Sequence, residues 1–272
     1  MPAPEERRSV DFLLLKEAVR EAGALAMRYF QNDFRTWSKD HDNTPVTEAD
    51  IAVNDLLRAR LMVARPDYGW LSEETEDDVS RLSQPLVWMV DPIDGTRAFS
   101  KGKPHFAISV ALVTEGRPVL AALFNPATDE FFEAEKAAGA RLNNVPIHVS
   151  DCSRIEGCRM VAFAPMFKHP AWPKSWPEMD IFDRNSVAYR IALVASGQAD
   201  ATLALNGKND WDLAAADLIV HEAGGCMTTH DGTGLLYNRP STRHPSLLAA
   251  GPALYGAIFA RVGSIRLPHR PS

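Results

Sequence analysis

Cysteine is scarce in this chain of 272 residues, and the three that occur are Cys152, Cys158 and Cys226. Their odd number and their spacing fit neither a disulfide framework nor a cysteine metal site. We therefore expect free thiols and a reducing, cytoplasmic compartment.

The sequence also lacks long apolar runs and an excess of positive charge. No apolar stretch approaches the ~20 residues that a membrane-spanning helix needs, and the N-terminus carries no apolar signal region. Lysine and arginine total 29 against 35 aspartate and glutamate residues, which gives a net charge of −6. Because the basic residues are scattered along the chain, we do not expect a nucleic acid as partner. Because no apolar run is long enough, we do not expect a membrane either.

The composition is that of a folded globular protein, with 46% hydrophobic and 24% charged residues. Apolar residues at helical spacing predict an amphipathic helix over residues 11–32. A second helix is predicted from Thr47 to Pro66, because residues 47–50 have the pattern of a capping box and proline ends helices.

The middle of the chain is rich in short strand candidates. A continuous β-rich run at residues 86–90 predicts a strand that ends in a turn at residues 91–96. Further strand candidates follow without intervening helices and so predict an antiparallel sheet: residues 106–113, 118–125, 130–134 and 145–149.

After about residue 150 strands and helices alternate. The predicted elements are a strand at 160–164, a helix at 186–196, a strand at 201–205 and a helix at 212–223. We therefore predict an N-terminal α+β domain of residues 1–150 and a C-terminal α/β domain of residues 151–272. Residues 169–177, with three prolines and two tryptophans, are predicted to form an irregular surface loop.

Acidic residues gather in four places: Asp50, the segment 72–74, the turn 91–96 and the pair Trp211-Asp212. Taken singly, each has an ordinary structural explanation as a helix cap, a solvated loop or a turn. Taken together they indicate metal binding, because hard cations such as Mg²⁺ bind oxygen ligands and a pair of cations needs carboxylates from several segments.

The turn 91–96 is the centre of this arrangement. Asp91 and Asp94 follow a buried strand, and the turn allows both carboxylates and the carbonyl of Ile93 to face one point. Gly95 and Thr96 offer backbone N–H groups, and a glycine lets a phosphate approach the backbone closely.

The turn 91–96, the pair Trp211-Asp212 and the segment 222–225 resemble the motifs of the inositol monophosphatase family. The likeness extends over nearly the whole chain, from the first helix and residues 46–50 to the final Gly-Gly pair. It implies a layered αβαβα sandwich, of mixed α+β and α/β class and of the inositol monophosphatase or sugar phosphatase type. It also implies a lithium-sensitive, Mg²⁺-dependent phosphomonoesterase that forms a homodimer.

The resemblance implies two or three Mg²⁺ per subunit, with most of the ligands in the N-terminal domain. Glu73, Asp91 and the Ile93 carbonyl would hold the first cation, and Asp91, Asp94 and Asp212 the second. Two cations about 3.5–4 Å apart can stabilise the attacking and the leaving oxygens of an in-line displacement at once.

The same resemblance implies roles for residues that serve the water and the phosphate. Glu73 with Thr96, and Asp50 behind Thr96, would orient and deprotonate the attacking water. The N–H groups of Gly95 and Thr96 would bind the phosphate.

Substrate contacts are implied at four further positions. Lys39 matches a basic position that lines the site, and Asn185 and Ser186 match positions that face the leaving group. For Ser186 a plain helix N-cap is the alternative. Inositol-specific members place a glutamate where this chain has Leu205, which cannot accept a hydrogen bond from a hydroxyl group.

The expected partner is a small phosphorylated metabolite, either inositol 1-phosphate or a related polyol phosphate. Residues 42–50 and 72–74 look more like 3′(2′),5′-bisphosphate nucleotidases of the same superfamily, and histidinol-phosphate phosphatases share the core, so both stay open as alternatives. A silent homologue with a binding or regulatory role is the non-enzymatic alternative. Haloacid dehalogenase phosphatases are a weaker match, because one residue separates their aspartates and two separate Asp91 and Asp94.

Overall fold

The computed structural model describes residues 4–30, 32, 35–38, 45–170 and 172–267. Its α-helices are α1 (Pro4–Tyr29), α2 (Glu48–Ala64), α3 (Thr96–Phe99), α4 (Val187–Ala195), α5 (Asp210–Glu222) and α6 (Pro252–Val262). Two short 3₁₀ helices lie at Val79–Ser83 and Ala164–Lys168.

The largest sheet has seven strands in the order of the chain. They are β3 (Gly69–Ser72), β4 (Val87–Asp94), β5 (Ala107–Thr114), β6 (Arg117–Asn125), β7 (Glu130–Glu135), β8 (Ala140–Leu142) and β9 (Val145–Pro146). The predicted antiparallel pairing is confirmed from β4 to β9, whereas β3 pairs with β4 in parallel.

A second, mixed sheet has five strands in the order β11-β10-β12-β16-β14. They are β10 (Arg159–Val161), β11 (Asp180–Phe182), β12 (Ala201–Ala204), β14 (Cys226–Thr228) and β16 (Leu247–Ala250). Two short antiparallel ribbons pair β1 (Thr36–Ser38) with β2 (Pro45–Thr47), and β13 (Lys208–Asn209) with β15 (Arg243–His244).

The apolar residues arrange these elements in five layers. On β5, Ile108 and Val110 pack with α1 and α2, and the alternating Ala107 and Ala111 pack with α4 and α5 on the other face. The five-stranded sheet covers the far side of α4, and α6 packs behind that sheet. The order α1/α2, sheet, α4/α5, sheet, α6 is the expected αβαβα sandwich.

Several predicted elements differ from the observed ones at their bounds or were missed. The capping box of α2 is confirmed, since Thr47 and Asp50 bond each other's backbone N–H groups. The strand predicted at 145–149 covers only Val145–Pro146. Strand β3 was missed because four residues carry little periodicity, and α6 was missed although Pro252 stands at its first turn, a common start signal.

The division at residue 150 stays a prediction. All three cysteines are free thiols, as expected. In the described part of the chain, no helix combines the length and the apolar character needed to cross a bilayer.

Candidate active site

The site begins where two parallel strands end side by side. Strands β3 and β4 are in register from Gly69↔Val87 to Ser72↔Val90, and the Glu73 N–H donates to the Val90 carbonyl at 3.2 Å. Glu73 therefore lies beside Asp91, which is the next residue of β4. A register shift between Asp91 and Asp94 makes the end of the strand irregular, as at a β-bulge.

Helix α5 brings the third carboxylate to this edge. Asp212 stands in its first turn, and its Oδ2 accepts the backbone N–H of the N-cap residue Asn209 at 2.7 Å. Glu73, Asp91 and Asp212 each place one carboxylate oxygen so that all three oxygens lie within 4.8 Å of one another. Three residues that are far apart in sequence therefore converge as the acidic pattern predicted.

Asp94 lies next to this cluster and is held by the second half of the chain. Its Oδ2 accepts the Ser186 hydroxyl at 2.6 Å and the Ala188 N–H at 2.7 Å. Its charge acts on both Asp91 and Asp212 and raises their pKa values. Asp94 is thus oriented by the start of helix α4.

The electrostatics of the carboxylates fit a hard divalent cation. Burial, and then the charges of neighbouring carboxylates, raise the pKa of Asp212 to about 8 and that of Asp91 well above its usual range. Burial likewise raises the pKa of Asp94 to about 6, although hydrogen bonds from Ser186 and Ala188 oppose it. Asp91 Oδ2 is buried, and within the described residues it has no hydrogen-bond partner. A bound cation would relieve this repulsion and supply the missing partner.

Thr96 and Asp50 form a hydrogen-bonded pair near the cluster of Glu73, Asp91, Asp94 and Asp212. The Thr96 hydroxyl lies 3.0 Å from Asp50 Oδ1 and 3.1 Å from the Ile93 carbonyl oxygen. Burial raises the pKa of Asp50 to about 6, and hydrogen bonds from Thr47 and Thr96 limit the rise. Asp50 is therefore both the capping residue of α2 and the partner of Thr96.

Gly95 fits the turn for a steric reason. Its φ of 99° lies in the left-handed region, and a Cβ there would stand 2.7 Å from the His105 carbonyl oxygen. A larger residue would push the backbone of the turn away from the 105–106 segment. Gly95 and Thr96 both line the same cleft as Glu73, Asp94 and Asp212.

Three of the carboxylates, Glu73, Asp94 and Asp212, line a cleft of about 1080 Å³. Of the predicted substrate residues, Asn185 and Leu205 also line this cleft. Ser186 is the N-cap of α4 and donates to Asp94, so it reaches the site through that carboxylate. Lys39 lies outside the described residues.

The sequence analysis assigned no role to several residues that line the cleft, among them two basic residues and an aromatic one. Lys208, Arg190 and Phe163 all line it. Lys208 is half-buried on β13, and its charge lowers the pKa of Asp94 and Asp212. A lysine four residues before Asp212 was a usable signal for the first basic residue, but nothing local distinguishes Arg190 or Phe163.

The αβαβα layering brings a cluster of mostly buried carboxylates together, and such a cluster could hold a divalent cation. The sequence model of the inositol monophosphatase family matches residues 7–264. The chain belongs to this family of phosphatases.

Individual relatives carry different names. The chain is 32% identical over 269 residues to the histidinol-phosphatase of Chlorobaculum parvum, covering 93% of this chain and 97% of that protein. It is 36% identical over 197 residues to the inositol-1-monophosphatase of Rhizobium meliloti, covering 70% and 73% of the two chains. The solved structure of the extragenic suppressor protein suhB from Bartonella henselae matches with a TM-score of 0.79 and 26% identity, over 92% of this chain and 97% of that one.

Proposed function

We propose that the chain hydrolyses a small phosphate monoester by direct attack of water, with two or three Mg²⁺ per subunit. The proposal depends on one observation: Glu73, Asp91 and Asp212 each place a carboxylate oxygen within 4.8 Å of the other two. The Thr96–Asp50 pair beside them supports a role in orienting water.

The proposed ligands are those that the motif assigns. Glu73, Asp91 and the Ile93 carbonyl would hold one cation, and Asp91, Asp94 and Asp212 a second. Bound divalent cations supply charge that stabilises the attacking and leaving oxygens of an in-line displacement.

The remaining residues act on the water and the phosphate. Thr96 and Glu73 would orient the attacking water, and Asp50, hydrogen-bonded to Thr96, would help to accept its proton. The pKa of Asp50, raised by burial to about 6, suits a base that works near neutral pH. The N–H groups of Gly95 and Thr96 would bind the phosphate oxygens.

Two alcohol classes are candidates for the leaving group. The family favours a polyol phosphate such as inositol 1-phosphate. Histidinol phosphate is favoured by the relative that spans 93% of this chain and by Leu205, which lines the cleft without a hydrogen-bond acceptor. We further propose a cytoplasmic homodimer that is inhibited by lithium.

The test is Mg²⁺-dependent release of inorganic phosphate from four substrates, compared by kcat/KM. The panel is inositol 1-phosphate, histidinol phosphate, 3′-phosphoadenosine 5′-phosphate and fructose 1,6-bisphosphate. We expect turnover of at least one monoester that is lost with EDTA and restored by Mg²⁺. Absence of metal-dependent release from every substrate would favour a silent homologue and contradict the proposal.

A further inference from the structure

Several of the residues that line the cleft are apolar, and the proposed chemistry does not use them. Phe163, Pro165, Met166 and Leu205 line the same cleft as Asp94 and Asp212, and we call these four residues the apolar wall. Phe163 is 59% exposed. A large aromatic side chain that faces a cleft gains free energy when an apolar group of a ligand covers it.

The apolar wall is held in place by a cluster of aromatic rings behind it. Phe163 is the N-cap residue of the 3₁₀ helix Ala164–Lys168, and Pro165 and Met166 lie within that helix. Such a short helix has little stability of its own. The Trp172 Nε1–H donates to the Met166 carbonyl at 2.7 Å. Trp172, which had no role in the sequence analysis, therefore holds the backbone of the wall at Met166.

Trp176 completes this support. Its ring packs edge to face with Trp172 at 5.1 Å and with Phe167 at 5.0 Å between centroids. The Arg261 guanidinium of α6 lies 4.8 Å from the centroid of Trp176, a distance typical of a cation–π contact. The Met166 part of the wall is therefore tied to helix α6 through Trp172 and Trp176.

Two of the polar side chains that line the cleft, Arg190 and Asn185, are already bonded to other residues. Arg190 is paired with Asp183 at 2.6 Å and also donates to the Arg184 carbonyl. The Asn185 side-chain carbonyl accepts the Ala98 N–H at 3.2 Å. A ring that carries many hydroxyl groups would leave several of them facing the wall without partners, which is unfavourable in a site shielded from water.

We infer that the alcohol half of the substrate presents an apolar or aromatic face to Phe163, Met166 and Leu205 and is not read through ring hydroxyl groups. This inference rests on the proposed phosphatase function, because it concerns the leaving group of that reaction. It makes Phe163 and Leu205 residues that determine specificity, and it makes Trp172 a residue that positions the wall.

The test compares three esters that differ only in the leaving group. Cyclohexyl phosphate and inositol 1-phosphate share a six-membered ring and differ in its hydroxyl groups, and ethyl phosphate has no ring. For the wild-type protein with Mg²⁺ we expect kcat/KM for cyclohexyl phosphate to be at least equal to that for inositol 1-phosphate. A clear preference for inositol 1-phosphate would overturn the inference and leave the proposed function standing.

Esters differ in their intrinsic reactivity, and variants remove this difference. For each ester, kcat/KM of the variant is divided by kcat/KM of the wild type, and only these ratios are compared between esters. Phe163→Ala is expected to lower kcat/KM for cyclohexyl phosphate about tenfold relative to ethyl phosphate, mainly through KM. Phe259→Ala, at a 37% exposed aromatic residue of α6, is the matched control and should change neither value. An equal loss for both esters in Phe163→Ala would contradict the inference.

Two further variants separate the wall from its support. Leu205→Glu should shift the preference toward inositol 1-phosphate by about tenfold, and an unchanged ratio would count against the wall. Trp172→Phe removes the hydrogen bond to the Met166 carbonyl and should raise KM for the ring ester with little change in kcat. If no ester, including ethyl phosphate, is hydrolysed with Mg²⁺, the proposed function itself fails.

Discussion

Thr96 is the residue whose proposed role differs most clearly from that of a metal ligand, because its hydroxyl group contacts Asp50 and the Ile93 carbonyl. We predict that Thr96→Ala lowers kcat about 10²-fold, the size of effect expected for a lost proton-transfer contact, with little change in the Mg²⁺ concentration for half-maximal rate. Steady-state kinetics at varied Mg²⁺ measure both quantities.

Thr96→Ser is the matched control for this prediction, since it keeps the hydroxyl group and should retain most of the activity. If Thr96→Ala instead lost Mg²⁺ affinity and recovered full kcat at saturating Mg²⁺, Thr96 would belong to the metal site.

The residues of the site divide into those that local sequence can predict and those that it cannot. The motif at 91–96 was identifiable because its Asp, Gly and Thr residues have strong local preferences. The predicted bounds of the turn were wrong, because β4 continues to Asp94 and α3 begins at Thr96, which leaves only Gly95 between them. The hydrogen bond from Ser186 to Asp94 joins residues 92 positions apart, and no local pattern reports such a contact. The roles assigned to the individual metal ligands stay predictions.

At the scale of elements, the start of α4 links the fold to the site. The Ser186 hydroxyl accepts the Tyr189 N–H at 2.9 Å and donates to Asp94 at 2.6 Å. Ser186→Ala removes both contacts, and we predict a loss of about 1–3 kcal/mol in the free energy of unfolding. Urea denaturation of the metal-free protein measures it.

Ser196→Ala tests the opposite end of the same helix and serves as the control. Ser196 is the half-buried C-cap residue, and its hydroxyl donates to the Leu193 carbonyl at 3.2 Å. We expect a loss below about 1 kcal/mol there. Equal losses at the two serines would show that the contact with Asp94 adds nothing.

Helix α5 contains a pH-dependent ion pair away from the carboxylate cluster. Burial lowers the pKa of His221, but the hydrogen bond and charge of Asp217 outweigh it, so the net pKa lies above the ordinary 6.5. The His221 ring nitrogen is 2.7 Å from Asp217, and the His221 side chain is 38% exposed. The pair therefore stabilises the fold fully below pH 6.5, and this contribution is lost as pH rises through the raised pKa.

We predict that His221→Gln costs more stability at pH 6 than at pH 9. The difference between the two pH values should be about 0.5–1 kcal/mol, because solvent screens a partly exposed pair. Urea denaturation at both pH values is the measurement, with the exposed His148→Gln as control. A larger cost at pH 9 would contradict the sign of the pKa shift.

Elements with strong periodicity were predicted well, and those defined by tertiary contacts were not. Helix α2 has both a capping pattern and a terminating proline, and its observed bounds, Glu48–Ala64, agree closely. Strand β3 is specified by its parallel pairing with β4, which the sequence does not display. Positioning Glu73 beside Asp91 depended on that missed strand.

At the scale of the whole molecule, the five layers explain why the carboxylates can be buried at all. Helices α4 and α5 lie between two sheets, and most of their residues are buried, as expected for helices covered on both faces. The sequence predicted the succession of strands and helices, whereas the stacking of layers came from the family resemblance. Long-range packing was the part that local patterns could not supply.

The most direct test of the central claim is Mg²⁺ binding by calorimetry in wild-type and Asp91→Asn protein, with phosphate release assayed on the same samples. Asp67→Asn, at an exposed aspartate, is the control. We predict at least two Mg²⁺ per wild-type chain. In Asp91→Asn we predict the loss of at least one Mg²⁺ and at least about 10³-fold lower kcat/KM, with an unchanged or higher melting temperature in EDTA because one repelling carboxylate is gone. Wild-type Mg²⁺ binding together with near-wild-type turnover in Asp91→Asn would contradict the account.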